Sequence, residues 1–209
     1  MPRVSREQAD KNRAAIEAAS SRLFRERGLD GVTVADLMAA AGLTHGGFYG
    51  HFESKDALAA LACEQAFDEA AGRWTAQGDK HGKTGARTAI HDGYLNATHR
   101  DNPGKGCPAV ALAADVARHD ENSAVRDAYV AGVKQLLAAL AAVQDETGPA
   151  ARRTAMAQLA TMVGALTLAR ATRGDAVSGQ ILSAAREFLA QADGQPASCN
   201  AGARRQPAR

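Results

Sequence analysis

Between Gly28 and Leu58 the chain is punctuated so densely that only brief, tightly turned helices fit there. Thr33 is placed to cap a short helix running to about Ala41, with Val34, Leu37 and Met38 on its inner face. Gly42 makes a turn, Thr44 caps a second short helix over 45–51, and Phe52 closes it. Ser54 then caps a long helix that starts at Lys55. Two short helices crossed by a tight turn need a small apolar core of their own, and Val34, Leu37, Ala41, Leu43, Phe48 and Phe52 supply it. Gly46, Gly47 and Gly50 are poor helix formers. They suit either the close approach of another surface, such as a DNA backbone or base edges, or a glycine-rich loop with no partner.

The rest of the chain reads as helix. Alanine is its richest residue, apolar residues make up 45%, and long alternating β-branched runs are missing, so an all-α fold of about nine helices is expected. Ser5 and Gln8 have capping-box spacing before a first helix that carries Ile16, Leu23 and Phe24 and stops at Gly28. Gly78 to Gly85 is expected to be a loop, followed by a helix from about Thr84 that ends before Asn102. Pro108 opens a helix to about Arg118. Ser123 caps one to about Thr147, and Pro149 opens one to about Arg173. The last helix covers roughly 177–192, and the segment from 194 to 209 has the composition of a disordered tail. The organisation expected is a helix-turn-helix domain over 1–58, a helical domain over 59–193, and that tail.

Charge and cysteine usage exclude several classes. The net charge is +2, too small for a general coat on nucleic acid, although residues 1–28 hold seven basic side chains against four acidic ones. No apolar run reaches the length of a membrane span, and the first residues lack a secretory apolar core. Cys63, Cys107 and Cys199 are far apart and odd in number, which points to a reduced, cytoplasmic chain without structural disulfides. Neither a phosphate loop nor a nucleophile elbow nor a metal-ligand spacing is present, so no cofactor, metal or catalytic residue is assigned. His91-Asp92 and His119-Asp120-Glu121 are the acid–base pairs an enzyme would have to use, and nothing in the sequence assembles them. A helical scaffold without DNA binding is the third class open at this point.

The stretch from Gly28 to Leu58 resembles the DNA-binding region of the TetR family of bacterial transcriptional regulators. The resemblance is carried by Gly28-Leu29, Thr33-Val34, Leu37, Leu43-Thr44, Gly46, Phe48-Tyr49, His51-Phe52, Ser54-Lys55 and Leu58, without a gap. It implies phosphate contacts from Thr33, Tyr49, His51 and Lys55, and a recognition helix opened by Thr44, His45, Gly46 and Gly47 in the major groove. Hydroxyls and helix-start amides suit phosphate oxygens. His45-Gly46-Gly47 leaves few side chains to read bases, so no operator sequence follows. Tyr49 has the plainer alternative of packing on the neighbouring helix with its hydroxyl outward, His51 of capping or filling the core beside Phe52, and Lys55 of being a solvated helix-start charge.

The resemblance also implies a homodimer, formed through the last two long helices, that binds a palindromic operator as a repressor and is released by a small-molecule inducer. Met156, Leu159, Met162, Val163, Leu166, Ile181, Leu182, Phe188 and Leu189 give those helices apolar stripes, which serve a partner, the monomer core, or both. Trp74, Tyr94, Val110, Leu112, Tyr129, Val133 and Leu137 are candidate ligand-lining residues or plain core. Cys107 lies at a helix start beside Lys105, a setting that lowers a thiol pKa and suits a sensor of oxidants or electrophiles; the alternative is a small buried residue.

Overall fold

The computed structural model describes residues 5–194. Among them are eight α-helices and two short 3-10 helices, with no strand. The expected tail from 195 onward, Cys199 included, lies outside the described residues. The helices are α1 (Arg6–Arg27), α2 (Val34–Ala40), α3 (Lys55–Tyr94), α4 (Ala97–Asp101), α5 (Pro108–Arg118), α6 (Ala124–Ala142), α7 (Gly148–Ala171) and α8 (Ala176–Ala192). The 3-10 helices are His45–Gly50 and Pro103–Lys105.

Local chemistry sets most of these bounds. The Ser5 hydroxyl accepts from the Gln8 amide at 3.2 Å, as its spacing predicts, but the Gln8 side chain bonds forward to Asn12 and leaves the box half made. Thr33 and Asp36 form a full reciprocal box at the start of α2, and the Ser54 hydroxyl accepts from the Ala57 amide at 3.0 Å. Gly28 ends α1 at φ 78°, a region only glycine enters without strain.

Four expectations need correction. The loop expected over 78–85 shrinks to one residue: helix runs up to Gly82 and resumes after it, and Gly82 breaks it with φ 65° and ψ −178°. The chain folds back there, since Trp74 and Tyr94, about 30 Å apart along a continuous helix, bring their rings to 6.0 Å. The helix over 45–51 is a 3-10 turn, and Thr44 makes no side-chain capping bond. Ser123 likewise caps α6 by backbone conformation only. The helix after the kink ends at Tyr94, and the Asn96 side chain starts the separate α4 by accepting from the His99 amide at 2.8 Å.

α3 and α6 form the central pair. Phe67 of α3 is fully buried against Gly132 of α6, where an added Cβ would run into the Phe67 ring. α7 and α8 pack on each other and close the opposite side, with Leu159, Met162, Leu166, Leu182 and Leu189 turned inward. A polar knot ties the end of α8 to this body. Arg87 donates to the Val143 carbonyl at 2.7 Å and to Asp145 at 2.8 Å, and its Nε lies 3.5 Å from Asp193. Gln158 bridges Gln144 and Asp193. His91 sits in the same knot at 3% exposure, its Nδ1 3.7 Å from Asp193.

Two measurements check this packing. Gly132→Ala is expected to cost about 1–3 kcal/mol in denaturant unfolding, because the Phe67 ring has to move. Gly72→Ala, on the open face of α3, is expected to leave stability unchanged or raise it by up to about 1 kcal/mol. Burial, with Arg87 adding to it, pushes the His91 pKa from 6.5 down to about 4, against a smaller opposite pull from Asp92. The fold therefore holds His91 neutral, and protons favour the unfolded chain between those values. This contribution is complete above pH 6.5 and is lost as the pH falls toward 4, to a total of about 3 kcal/mol. His99, also lowered by burial, acts in the same sense, and Asp193, raised by burial, in the opposite one. Thermal unfolding at pH 7.5 and pH 5 is expected to show a smaller acid-side loss in His91→Gln than in the unaltered chain.

Candidate nucleic-acid interface and internal cavity

The N-terminal segment presents a narrow exposed ridge over a small core. Leu37, Met38, Phe48 and Phe52 are buried, with Val34, Ala41 and Leu43 packed at the edges. Gly42, at φ 73°, turns the chain between α2 and the 3-10 helix, and the Leu43 amide closes the turn on the Met38 carbonyl at 2.9 Å. Phe48 is the anchor of the 3-10 helix: it is wholly buried while every residue from Thr44 to Gly47 is exposed. Tyr49, next to it, is 71% exposed and touches the Phe48 ring edge-on at 5.2 Å.

The candidate DNA-contacting residues separate by environment. Thr44, His45, Gly46, Gly47 and Tyr49 lie together on the ridge. An added Cβ at Gly46 or Gly50 would meet nothing, and one at Gly47 would meet only the Met38 methyl at 3.5 Å. These glycines are therefore not there for internal packing. Lys55 stands half-buried at the first position of α3, and His51 is half-buried where the 3-10 helix ends. The Thr33 hydroxyl donates to Asp36 at 2.6 Å and accepts from the Asp36 amide, so its capping duty occupies its proton. Sequence reasoning missed Arg13. Its guanidinium donates to the His51 carbonyl at 2.6 Å and lies 4.5 Å over the Phe52 ring, pinning α1 to the end of the ridge. Thirty-eight residues separate the hydrogen-bonded pair, and no local pattern marks it.

Behind this head, α3, α4 and the turn before α5 enclose a cavity of about 570 Å³. Trp74, Ile90, Tyr94, His99, Lys105 and Cys107 are among its lining residues. Of the candidate lining set, Trp74, Tyr94 and Cys107 belong to this cavity. Val110 and Leu137 border two separate surface hollows instead. Leu112 is core, and Val133 packs against the core. Tyr129 stacks edge-on against Phe67 and donates its hydroxyl to the Ala109 carbonyl at 2.8 Å.

Cys107 departs from the reactive setting its sequence suggested. It is 3% exposed, and burial raises its thiol pKa, outweighing the helix-start amides of α5 and the neighbouring Tyr94 hydroxyl and Arg170, which pull the other way. His99 organises the wall beside it. Its Nε2 accepts from the Cys107 amide at 2.9 Å, which leaves Nδ1 to donate to the Tyr94 carbonyl at 2.8 Å. That pairing requires a neutral ring, in keeping with the downward pull of burial on its pKa.

The cavity wall is fastened to the head. Arg25 of α1 donates to the Gly106 carbonyl at 3.2 Å, and the Leu29 amide, just past α1, donates to Asp115 of α5 at 2.8 Å. Gly28 lets Asp115 in: a Cβ there would meet the carboxylate at 2.6 Å. Arg170 of α7 holds the same wall from behind, through the carbonyls of His99 and Arg100.

Comparison with known proteins places this geometry. Residues 16–62 match the model for bacterial regulatory proteins of the tetR family. The chain is 41% identical over 58 residues to the HTH-type transcriptional regulator TtgR of Pseudomonas putida, a stretch spanning 28% of each chain. It is 41% identical over 49 residues to the HTH-type transcriptional repressor DhaR of a Mycobacterium species, over 23% of this chain and 25% of that one. These curated relatives thus align over less than a third of their own length. The crystal structure of a TetR transcriptional regulator from Chloroflexus aurantiacus superposes with a TM-score of 0.74 at 27% identity, covering 90% of this chain and 97% of that one. By its N-terminal match and its whole-chain fold, this chain is similar to the TetR family of bacterial regulatory proteins.

Proposed function

We propose that the chain is a cytoplasmic, DNA-binding transcriptional regulator, acting as a repressor that a small molecule releases from a palindromic operator. One observation carries the reading. The segment matched by the family contains an exposed ridge, Thr44 to Tyr49, with a single buried anchor and glycines that no internal packing requires. Thr44 and His45 are the base-reading side chains, and Gly46 and Gly47 let the backbone come close to the groove. Tyr49, Lys55 and His51 take phosphates, while Thr33 holds the start of α2 in place. Residues 1–58 form the reading head and 59–193 the body that controls it.

A dimer supplies the second reading head. α7 leaves Met156, Ala160, Gly164 and Leu168 exposed at four-residue spacing, and α8 leaves Val177, Ala184 and Phe188. Leu168 is 56% and Phe188 61% exposed, an apolar stripe with small residues between its bulky ones. A second copy of α7 and α8 fits that pattern as a four-helix bundle. The repressor sense rests on occupancy, since a dimer across a promoter excludes polymerase, and on the naming of DhaR as a repressor. The regulator names of the relatives favour this reading over a helical enzyme.

A gel-shift titration with the DNA flanking its own gene tests the reading. Tight binding that weakens steeply with salt is expected; no binding there or to any selected operator would sink it. Lys55→Ala is expected to weaken binding roughly tenfold on every sequence and to lower the salt slope by about one. Gly46→Val is expected to leave the fold intact, because nothing within the chain opposes the new side chain, and still to abolish binding. An unchanged salt slope in Lys55→Ala would remove its phosphate role. Light scattering is expected to give a dimer for the unaltered chain and a monomer for a Leu168→Asp/Phe188→Asp double variant.

A further inference from the structure

We infer that the cavity behind the reading head takes an organic anion with an aromatic or otherwise flat apolar body, held by Tyr94, Arg73 and Lys105. The inference rests on the regulator reading above and names the class of molecule its cavity selects.

Three independent features of the wall point the same way. Its floor is apolar: Ala70, Trp74, Ala89 and Ile90 present carbon surface, and the indole offers a face for a flat ring to stack on. Set into that floor is a hydroxyl whose neighbour is the Cys107 thiol, a weak hydrogen-bond partner. Tyr94 is 3% exposed, and its oxygen has no hydrogen-bond partner of good geometry among the described residues. A buried hydroxyl with only a weak partner is under-satisfied, and an acceptor on a bound molecule makes up the difference. The third feature is charge. Arg73 and Lys105 line the same cavity and are exposed, and neither forms an ion pair or side-chain hydrogen bond among the described residues. No aspartate or glutamate lines it. Arg25 and Arg170 stand behind the wall, and the acidic side chains acting on Arg25, Glu69 and Glu26, do not line the cavity.

The other ligand classes fit worse. An organic cation would meet two unpaired cations and no carboxylate. A wholly apolar molecule would leave Tyr94 with only the thiol and the two cations without a counter-charge. A thiol-seeking electrophile would face a thiol that burial holds protonated. A carboxylate or phenolate on a flat body satisfies all three features at once, with the acceptor toward Tyr94 and the charge toward Arg73 and Lys105. The cavity's 570 Å³ falls in the ordinary range for small-molecule sites, roughly 300–1,000 Å³.

Trp74 is the chain's one tryptophan, so its emission reports on the cavity directly. The full-length protein is titrated with 4-phenylbenzoate, its neutral amide 4-phenylbenzamide and the cation 4-phenylbenzylammonium, following calorimetric heat and Trp74 emission excited at 295 nm. The acid is expected to shift the emission and to bind at least tenfold more tightly than the amide, with the ammonium weakest. An Arg73→Gln/Lys105→Gln variant is expected to lose the preference for acid over amide while still binding the amide. Tyr94→Phe is expected to weaken acid and amide alike by several-fold. Equal binding of acid and amide, tightest binding of the ammonium, or no emission change with any probe up to millimolar concentration overturns the assignment. A covalent adduct on Cys107 from an electrophilic probe, with no reversible binding of the acid, overturns it as well. Gel shifts on the same samples separate the two readings. If DNA binding persists without acid binding, only the ligand class falls; if the acid binds and no DNA does, only the regulator falls.

Discussion

One helix carries both ends of the account. α3 begins at Lys55, directly after the reading head, and reaches Trp74 in the cavity wall before the chain folds back at Gly82 and brings Tyr94 beside it. Its middle is pressed against α6 so closely that Gly132 has no room for a side chain beside Phe67. A helix clamped at its centre moves as a lever rather than bending freely, since packed cores shift between discrete arrangements. The break at Gly82 lies beyond that clamp, on the cavity side. Lys55 and Trp74 therefore share one uninterrupted stretch of helix.

A second connection runs alongside the first. Arg25 and Leu29 reach from the head to Gly106 and Asp115, the residues just before and within α5. Cys107 and His99 belong to the same wall, and their mutual hydrogen bond fixes the turn that Arg25 holds. Anything that displaces the wall between 99 and 107 pulls on α1. Coupling of this kind requires two arrangements of the wall with different affinity for a ligand.

The reading head was legible in the sequence because its signals are local. Thr33, Gly42, Phe48, Phe52 and Ser54 act within a few residues of themselves, through caps, a turn and a small core. The body was legible as helices but not as a site. Gly78 to Gly85 suggested a loop, and the chain does fold back there, but at Gly82 alone, because one glycine at positive φ supplies the reversal and the rest stays helical. Cys107 suggested a lowered pKa because helix start and Lys105 are visible in sequence while burial is not. The contacts of Arg13, Arg25 and Asp115 span 38 to 86 residues, and no periodicity encodes them. Among the candidate lining residues, Trp74, Tyr94 and Cys107 converge on one cavity, whereas Leu112 and Val133 obey the same apolar pattern and are spent on the core.

The central claim is that a sparsely furnished ridge, doubled by symmetry, reads DNA. Sequencing the duplexes that the full-length protein enriches from a random pool tests it most directly. The account predicts an inverted repeat whose half-sites lie about one helical turn apart or a multiple of it, each with few strongly fixed bases. Failure to enrich any sequence, or enrichment of a single unpaired half-site, would contradict it.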